Sequence, residues 1–328
     1  MLNLPSRLLA QEPISVAGFA DLADELLADP VVEEWSYFEL LTVMGWLAGA
    51  GADCNWQVLE VGLGGRLDTT NAVATKHVAA ILPIDLEHTA ILGNSIRQIA
   101  AQKAGIVTGP CACVVAPMRD SAVRVITARA AEVGADLHSV AEECAVTVGR
   151  HSLDGQTLDL RTPLRIYRSL ELSMLGRHQV ENAATAVRAA ELAWQRENDV
   201  DLPESAVRTG LRGVRLPARL ELVRRDPLTI IDGMHTPLAA RRVAQALDDL
   251  RLPRPRVLLF GMLAGREPEA LVTELRSAID LAVVAPPSSP RADDPVRAER
   301  ALVEAGVPTQ RAASVEQGLV HADALIDG

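Results

Sequence analysis

Aromatic side chains are scarce, at 3% of 328 residues, so any core must be assembled from Leu, Val, Ala and Ile. Long apolar runs are absent too. The longest, Leu40 to Ala52, suits a buried helix and falls short of a bilayer span, so no membrane segment is expected. The N-terminus has no basic stretch leading into an apolar core, and no signal peptide is read from it. The four cysteines, at 54, 111, 113 and 144, form no C-x-x-C pair. Reduced, mostly buried thiols are expected from them rather than a metal site, with the cytoplasm as the compartment. Positive charge is in deficit. A net charge of −11 disfavours nucleic-acid and anionic-membrane partners, though it leaves room for a local basic pocket and an anionic substrate.

The stretch around which the chain is organised is Val58-Leu59-Glu60-Val61-Gly62-Leu63-Gly64-Gly65-Arg66-Leu67-Asp68-Thr69-Thr70-Asn71. The apolar residues from Trp56 to Leu59 predict a buried strand with Glu60 at its carboxyl end, where ligands of open α/β sheets gather. The glycines that follow permit positive φ and close approach of the backbone to a ligand. Gly62 and Gly64 supply a G-x-G, but the position three after Gly64 is Leu67, which excludes a dinucleotide fingerprint.

The rest alternates strands and helices. Helices are predicted over 16–27, from Ser36 with a Ser36/Glu39 capping box, and over 95–104 with Gly105 as stop. Strands are predicted at 78–84 and 111–116, which argues for a parallel sheet. From Val146 to Leu172 short alternating segments predict an antiparallel patch turning at Asp154-Gly155 by a type I′ hairpin. A helix over 176–194 and a linker over 211–225 follow. A second α/β unit is then expected: strands 228–232, 256–260 and 281–285, with helices 237–250, 267–279 and 293–305. A length of 328 residues predicts two domains, cut near residue 222 into 1–222 and 223–328.

The ten residues from Leu59 to Asp68, with Thr70-Asn71 behind them, resemble the signature of the folylpolyglutamate synthase and dihydrofolate synthase family of Mur-type ligases. Further stretches resemble the same family, in order. They are Glu87-His88-Thr89-Ala90-Ile91-Leu92-Gly93 (with Glu87 for the family Asp), Gln102-Lys103-Ala104-Gly105-Ile106 and His178-Gln179-Val180-Glu181-Asn182-Ala183. After these come Pro217-Ala218-Arg219-Leu220-Glu221, with Ala218 for Gly, and Asp232-Gly233-Met234-His235-Thr236-Pro237, with Met234 and Thr236 as departures.

The resemblance implies an α/β, Mur-ligase-like fold: an incomplete P-loop-type ATPase domain followed by a Rossmann-like C-terminal domain. It implies ATP-dependent addition of L-glutamate to a folate or to dihydropteroate through an acyl phosphate, with Mg2+ and a monomeric chain. Glu60 and His88 would be metal ligands. Lys103 would be a carbamylated lysine, turned from cation to anionic oxygen donor. Arg219 would meet the phosphates, Asn182 the adenine and Asp232 the ribose hydroxyls, with His235 near the nucleotide.

One family feature has no counterpart. No G-x-x-G-K-[ST] phosphate loop occurs in the sequence, which opens at what resembles a downstream Glu12-Pro13-Ile14 segment and stops at Asp327-Gly328 before an expected closing strand. Truncation at both ends is therefore expected. Two alternatives stand beside a ligase that is inactive for want of the loop: a non-catalytic remnant binding nucleotide or folate, and a Mur-type ligase acting on a peptidoglycan precursor.

Overall fold

The computed structural model describes residues 13–52, 54–73 and 75–327; Glu12 of the opening segment and the terminal Gly328 lie outside them. The chain forms two compact units, Met1–His138 and Ser139–Gly328.

The first unit opens with helices α1 (Val16–Leu27) and α2 (Tyr37–Gly51). The predicted capping box starts α2: Ser36 Oγ accepts from Glu39 N–H at 3.3 Å and the Glu39 carboxylate accepts from Ser36 N–H at 2.7 Å. A three-stranded sheet follows in the order β1 (Val78–Ile81), β2 (Ala112–Val115), β3 (Asp136–Ser139), with β1 and β2 parallel. Between them run α3 (Thr89–Leu92), α4 (Ile96–Ala104) and α5 (Asp120–Val133). Ser95 caps α4 by accepting from Gln98 N–H. The core is aliphatic, as the aromatic shortage requires: Ile81, Ile99, Val107, Val115 and Ile126, with the buried thiols of Cys111 and Cys113 among them.

One expectation fails here. Residues 56–60 form no strand, and Val58 is 94% exposed. A strand exists only through a ladder partner, and among the described residues none pairs with this segment; β1 is an edge, bonded to β2 alone. Glu60 thus sits in exposed irregular chain rather than at a strand's carboxyl end.

The second unit begins with α6 (Val140–Glu143) and an antiparallel sheet of β4 (Ala145–Ser152), β5 (Gly155–Arg161) and β6 (Ile166–Leu172). The hairpin turns at Leu153-Asp154, one residue earlier than predicted. Positive φ falls on Gly155 alone (119°), already paired with Ser152, so the two consecutive left-handed residues of a type I′ turn are missing. Helix α7 (Arg177–Asn198) is held on this sheet by a buried polar network in which Thr162 Oγ1 and Tyr167 OH each donate to Glu191 Oε1 at 2.8 Å. Arg188, bonded to Glu143 and Glu191, balances its charge.

Most of the predicted linker is structured. It holds the end of α8 (Glu204–Gly213) and β7 (Glu221–Arg225), which pairs antiparallel with β8 (Leu228–Ile231). Strand β8 therefore closes a hairpin and does not join the parallel sheet, which consists of β9 (Val257–Phe260), β10 (Leu281–Val284) and β11 (Thr309–Arg311). Around it lie α9 (Pro237–Asp249), α10 (Pro268–Leu275), α11 (Pro295–Glu304) and α12 (Val315–Asp327). The polar triplet of β11 gave no periodic signal and was not anticipated. Leu175 and Leu220 share one buried cluster with Ala240, Phe260, Leu271 and Val284, so the compact unit reaches back across the predicted cut at residue 222.

Candidate functional site

In the first unit, three of the family-like stretches are gathered around the glycine-rich loop. Asp68 closes the loop on itself, accepting from Leu63 N–H (2.8 Å), Thr70 N–H (3.0 Å) and Thr70 Oγ1 (2.6 Å). Arg66 N–H donates to Gln102 O at 2.9 Å, tying the loop to the last turn of α4, which carries Lys103. The contact is close. A Cβ on Gly65 would stand 3.0 Å from the carbonyl oxygens of both Gln102 and Lys103, and one on Gly105 would stand 2.4 Å from Arg66 Cβ. Gly64 and Gly65 have positive φ (73° and 148°), which favours glycine, and their lack of a Cβ permits the close approach. Gly62 instead lies under the Phe38 ring, 2.6 Å from where its Cβ would be. Leu92, in the stretch that follows His88, packs on Gly64.

Of the predicted metal residues, Glu60 and His88 are exposed and Lys103 is half-buried; none of the three side chains has a hydrogen-bond or ionic partner among the described residues. His88 precedes α3 in the left-handed region (φ 50°, ψ 39°), a conformation that costs about 1–2 kcal/mol for a residue with a Cβ.

In the second unit, the other three stretches meet. Gly176 (φ 92°) starts α7, and its Cα faces both the His178 ring and Leu220. Buried Gln156 donates to Met174 O (2.7 Å) and Gly176 O (2.9 Å), fixing the entry into the helix. Asp232 clamps the hairpin ends: its two oxygens accept from Leu220 N–H and Met234 N–H, each at 2.8 Å. Burial raises the Asp232 pKa against the opposing pull of those two bonds. Gly233 N–H donates to Ala218 O, and Arg219 Nη1 reaches the same oxygen at 3.1 Å; no carboxylate pairs with Arg219 among the described residues. His235 is exposed, with Nδ1 3.3 Å from Gly233 O. Asn182 lies one turn beyond His178 and donates to Gln179 Oε1 at 3.0 Å. Thr236, a departure from the family wording, caps α9 ahead of Pro237 by accepting from Ala239 N–H.

The structure thus joins Arg219, Asp232 and His235 into one cluster, with Asn182 on the neighbouring helix. It also sets the Glu60 loop against the Lys103 turn. Two residues escaped the sequence reading. His178 belongs to a family-like stretch that implies no role for it, and its burial, with the Arg242 charge, pulls its pKa down to about 4. Lys76 had no signature at all; its three bonds appear only in three dimensions.

Comparison with known proteins identifies the family. Residues 17–190 match the Mur ligase middle domain and residues 218–326 the Mur ligase glutamate ligase domain. The middle-domain match takes in the His178–Ala183 stretch together with the three stretches of the first unit. The dihydrofolate synthase/folylpolyglutamate synthase of Mycobacterium tuberculosis is 33% identical over 265 residues, covering 79% of this chain and 54% of that protein. Its counterpart in Bacillus subtilis is 30% identical over 243 residues, covering 73% and 56%. The chain spans about half the length of the curated relatives it matches. Among solved structures, Mycobacterium tuberculosis folylpolyglutamate synthase complexed with ADP aligns with a TM-score of 0.88 at 30% identity, over 96% of this chain and 72% of that one. E. coli FolC in complex with DHPP and ADP aligns at 0.81 and 28%, over 95% and 71%. The chain belongs to the Mur ligase family, on its folylpolyglutamate and dihydrofolate synthase branch.

Proposed function

We propose that this chain is the body of an ATP-dependent ligase that joins L-glutamate to a folate or to dihydropteroate. The observation that carries the reading is the docking of the glycine-rich loop on the α4 turn, which sets the Glu60 stretch beside the one that bears Lys103. In the reaction the substrate carboxylate takes the γ-phosphoryl group and ADP leaves. The glutamate amine then attacks the acyl carbon, expelling phosphate and releasing a proton. The relatives named above are folylpolyglutamate and dihydrofolate synthases, which supports this substrate class over a peptidoglycan precursor, and both solved structures named above contain ADP, which supports ATP as the co-substrate.

The donor chemistry fits magnesium. Among the described residues no group of three or more His, Cys, Asp or Glu forms an all-protein cage. Mg2+ is commonly held by one or two carboxylates with phosphates and water completing the shell. Glu60 is such a donor and Lys103 would add an oxygen once carbamylated, while His88, an unusual ligand for this cation, is assigned from the family resemblance alone. Bound there, the cation would neutralise charge on the transferring phosphoryl group. The Arg219 fork, bonded to Ala218 O and paired with no carboxylate among the described residues, suits phosphate. Asn182 offers an amide to the adenine, and Asp232 keeps lone pairs for ribose hydroxyls beyond its two backbone bonds. His235 would lie beside the nucleotide. We assign a central ATPase/ligase domain to 1–222 and a Rossmann-like C-terminal ligase domain to 223–328, with a monomeric state and a cytoplasmic location. Among the described residues no helix is long and apolar enough to cross a membrane.

A second reading is nucleotide binding without turnover; these residues contain no G-x-x-G-K-[ST] loop. Both are tested by ADP release from this chain with Mg-ATP and dihydropteroate or tetrahydrofolate, with and without glutamate. Glutamate-dependent release is expected of a ligase. Nucleotide binding without release, even after an upstream phosphate-loop segment is added, would leave the binding reading. No nucleotide binding at all would overturn both.

A further inference from the structure

Of the 32 lysines and arginines only two are lysines, Lys76 and Lys103; all the others are arginine. Arginine therefore serves nearly every cationic position, and a position that keeps lysine invites a reason that guanidinium cannot meet. Lys103 has one in the carbamate proposed above. Lys76 needs another.

Its surroundings supply it. The Lys76 ammonium donates to Asn71 Oδ1 (3.0 Å), Val73 O (3.1 Å) and Thr108 Oγ1 (3.0 Å). These are three neutral acceptors, and no carboxylate pairs with the side chain among the described residues. Burial pulls the Lys76 pKa below its ordinary value, against a smaller opposing pull from Cys111. With all three hydrogens engaged the group has none left for an anion, so it is not a phosphate-binding lysine. Its acceptors come from both sides of a junction: Asn71 and Val73 follow the glycine-rich loop, and Thr108 follows α4. Asn71 extends the junction by donating through Nδ2 to Gly105 O (3.0 Å) and Arg66 O (3.3 Å). An ammonium directs three hydrogens tetrahedrally, whereas a guanidinium is a flat fork and cannot converge on the same three oxygens.

We propose that Lys76 is a positioning residue of the ligase site: its ammonium fixes Asn71 and thereby holds the glycine-rich loop against the α4 turn that presents Lys103. The role rests on the ligase reading, but the junction itself does not.

Hydrogen exchange of the whole chain tests the junction. In Lys76→Met and Lys76→Arg, amides of 66–71 and 103–108 are expected to exchange faster, with β2, α5 and the second unit unchanged. Magnesium titration of ATP binding tests the consequence. Half-saturation is expected to rise roughly tenfold in both variants, the scale seen when a residue supporting a metal ligand is removed, while metal-free nucleotide binding stays as it was. Thr108→Val, which removes one acceptor and leaves the lysine, is expected to show the same pattern more weakly, and it carries the test where Lys76→Met does not fold. Unchanged exchange in Lys76→Met, or in Thr108→Val where that variant stands in for it, would overturn the proposal. A Lys76→Arg chain that behaves as wild type in both measurements would also overturn it, leaving only a need for positive charge. Wild-type chain that binds no Mg-ATP would overturn the ligase reading instead, and the exchange result would still decide the junction.

Discussion

Ala218 and Leu220 flank Arg219 with φ of 54° and 48°, so two side chains occupy left-handed backbone on either side of the residue proposed to meet phosphate. The conformation is imposed from outside, by Gly233 N–H on Ala218 O and by the Asp232 carboxylate on Leu220 N–H. Ala218 stands where the family wording has Gly. Ala218→Gly should therefore stabilise the chain, by about 1 kcal/mol from relieved strain less a few tenths for the freer unfolded chain, read as a raised urea midpoint. An unchanged or lowered midpoint would mean that the Cβ is comfortable there. Glu60 and Lys103 make the opposite case. Having no side-chain partners among the described residues, they should cost less than about 1 kcal/mol when changed to Gln and Ala, while abolishing turnover in a competent chain. Retained turnover in both variants would remove the metal-site assignment.

At the scale of elements, what was legible in the sequence was what local rules control. The Ser36/Glu39 box, the helix over 95–104 (with Ser95 as its cap) and the buried run of β2 formed where composition and spacing placed them, while β1 ends at Ile81, three residues short of its predicted 78–84. Elements that depend on distant partners were not legible: residues 56–59 look like a strand and lack a ladder, while β11 has a ladder and does not look like a strand. The same divide runs through the site. Motif wording picked out Glu60, Lys103, Arg219 and Asp232, but Lys76 is defined by residues up to 32 positions away. The loop and α4 offer an element-scale test. Gly65→Ala would push a methyl against two carbonyl oxygens that cannot rotate aside, so it should destabilise the first unit by more than about 2 kcal/mol and weaken magnesium-dependent nucleotide binding. Calorimetric unfolding with and without Mg-ATP would measure both.

At the scale of the molecule, stability should have a plateau in pH. Burial and Arg242 hold His178 at about 4 against an ordinary 6.5, so the neutral ring contributes stability above 6.5 that is lost as pH falls toward 4. By linkage the loss reaches about 2 kcal/mol at pH 5. Asp159 and Glu274, lowered by hydrogen bonds from Ser169 and Arg241 respectively, act in the same direction below their ordinary 3.8 and 4.5. On the alkaline side burial lifts Cys113 to about 12 and Cys144 to about 11; their protonated forms contribute stability below 9.0 that is lost as pH rises through those values. Urea midpoints should be flat between about 6.5 and 9 and should fall on both sides. Equal midpoints at pH 5 and 7.5 would contradict the burial of His178.

The closed ring that Asp68 makes with Leu63 and Thr70 has one further consequence. The glycine-rich loop already owns its shape, so the cation and nucleotide proposed above would find a preorganised mould. The conformational entropy of that segment is surrendered during folding, not during binding. Association there should proceed in a single kinetic phase whose rate rises linearly with nucleotide concentration, without the saturation that marks a loop waiting to close.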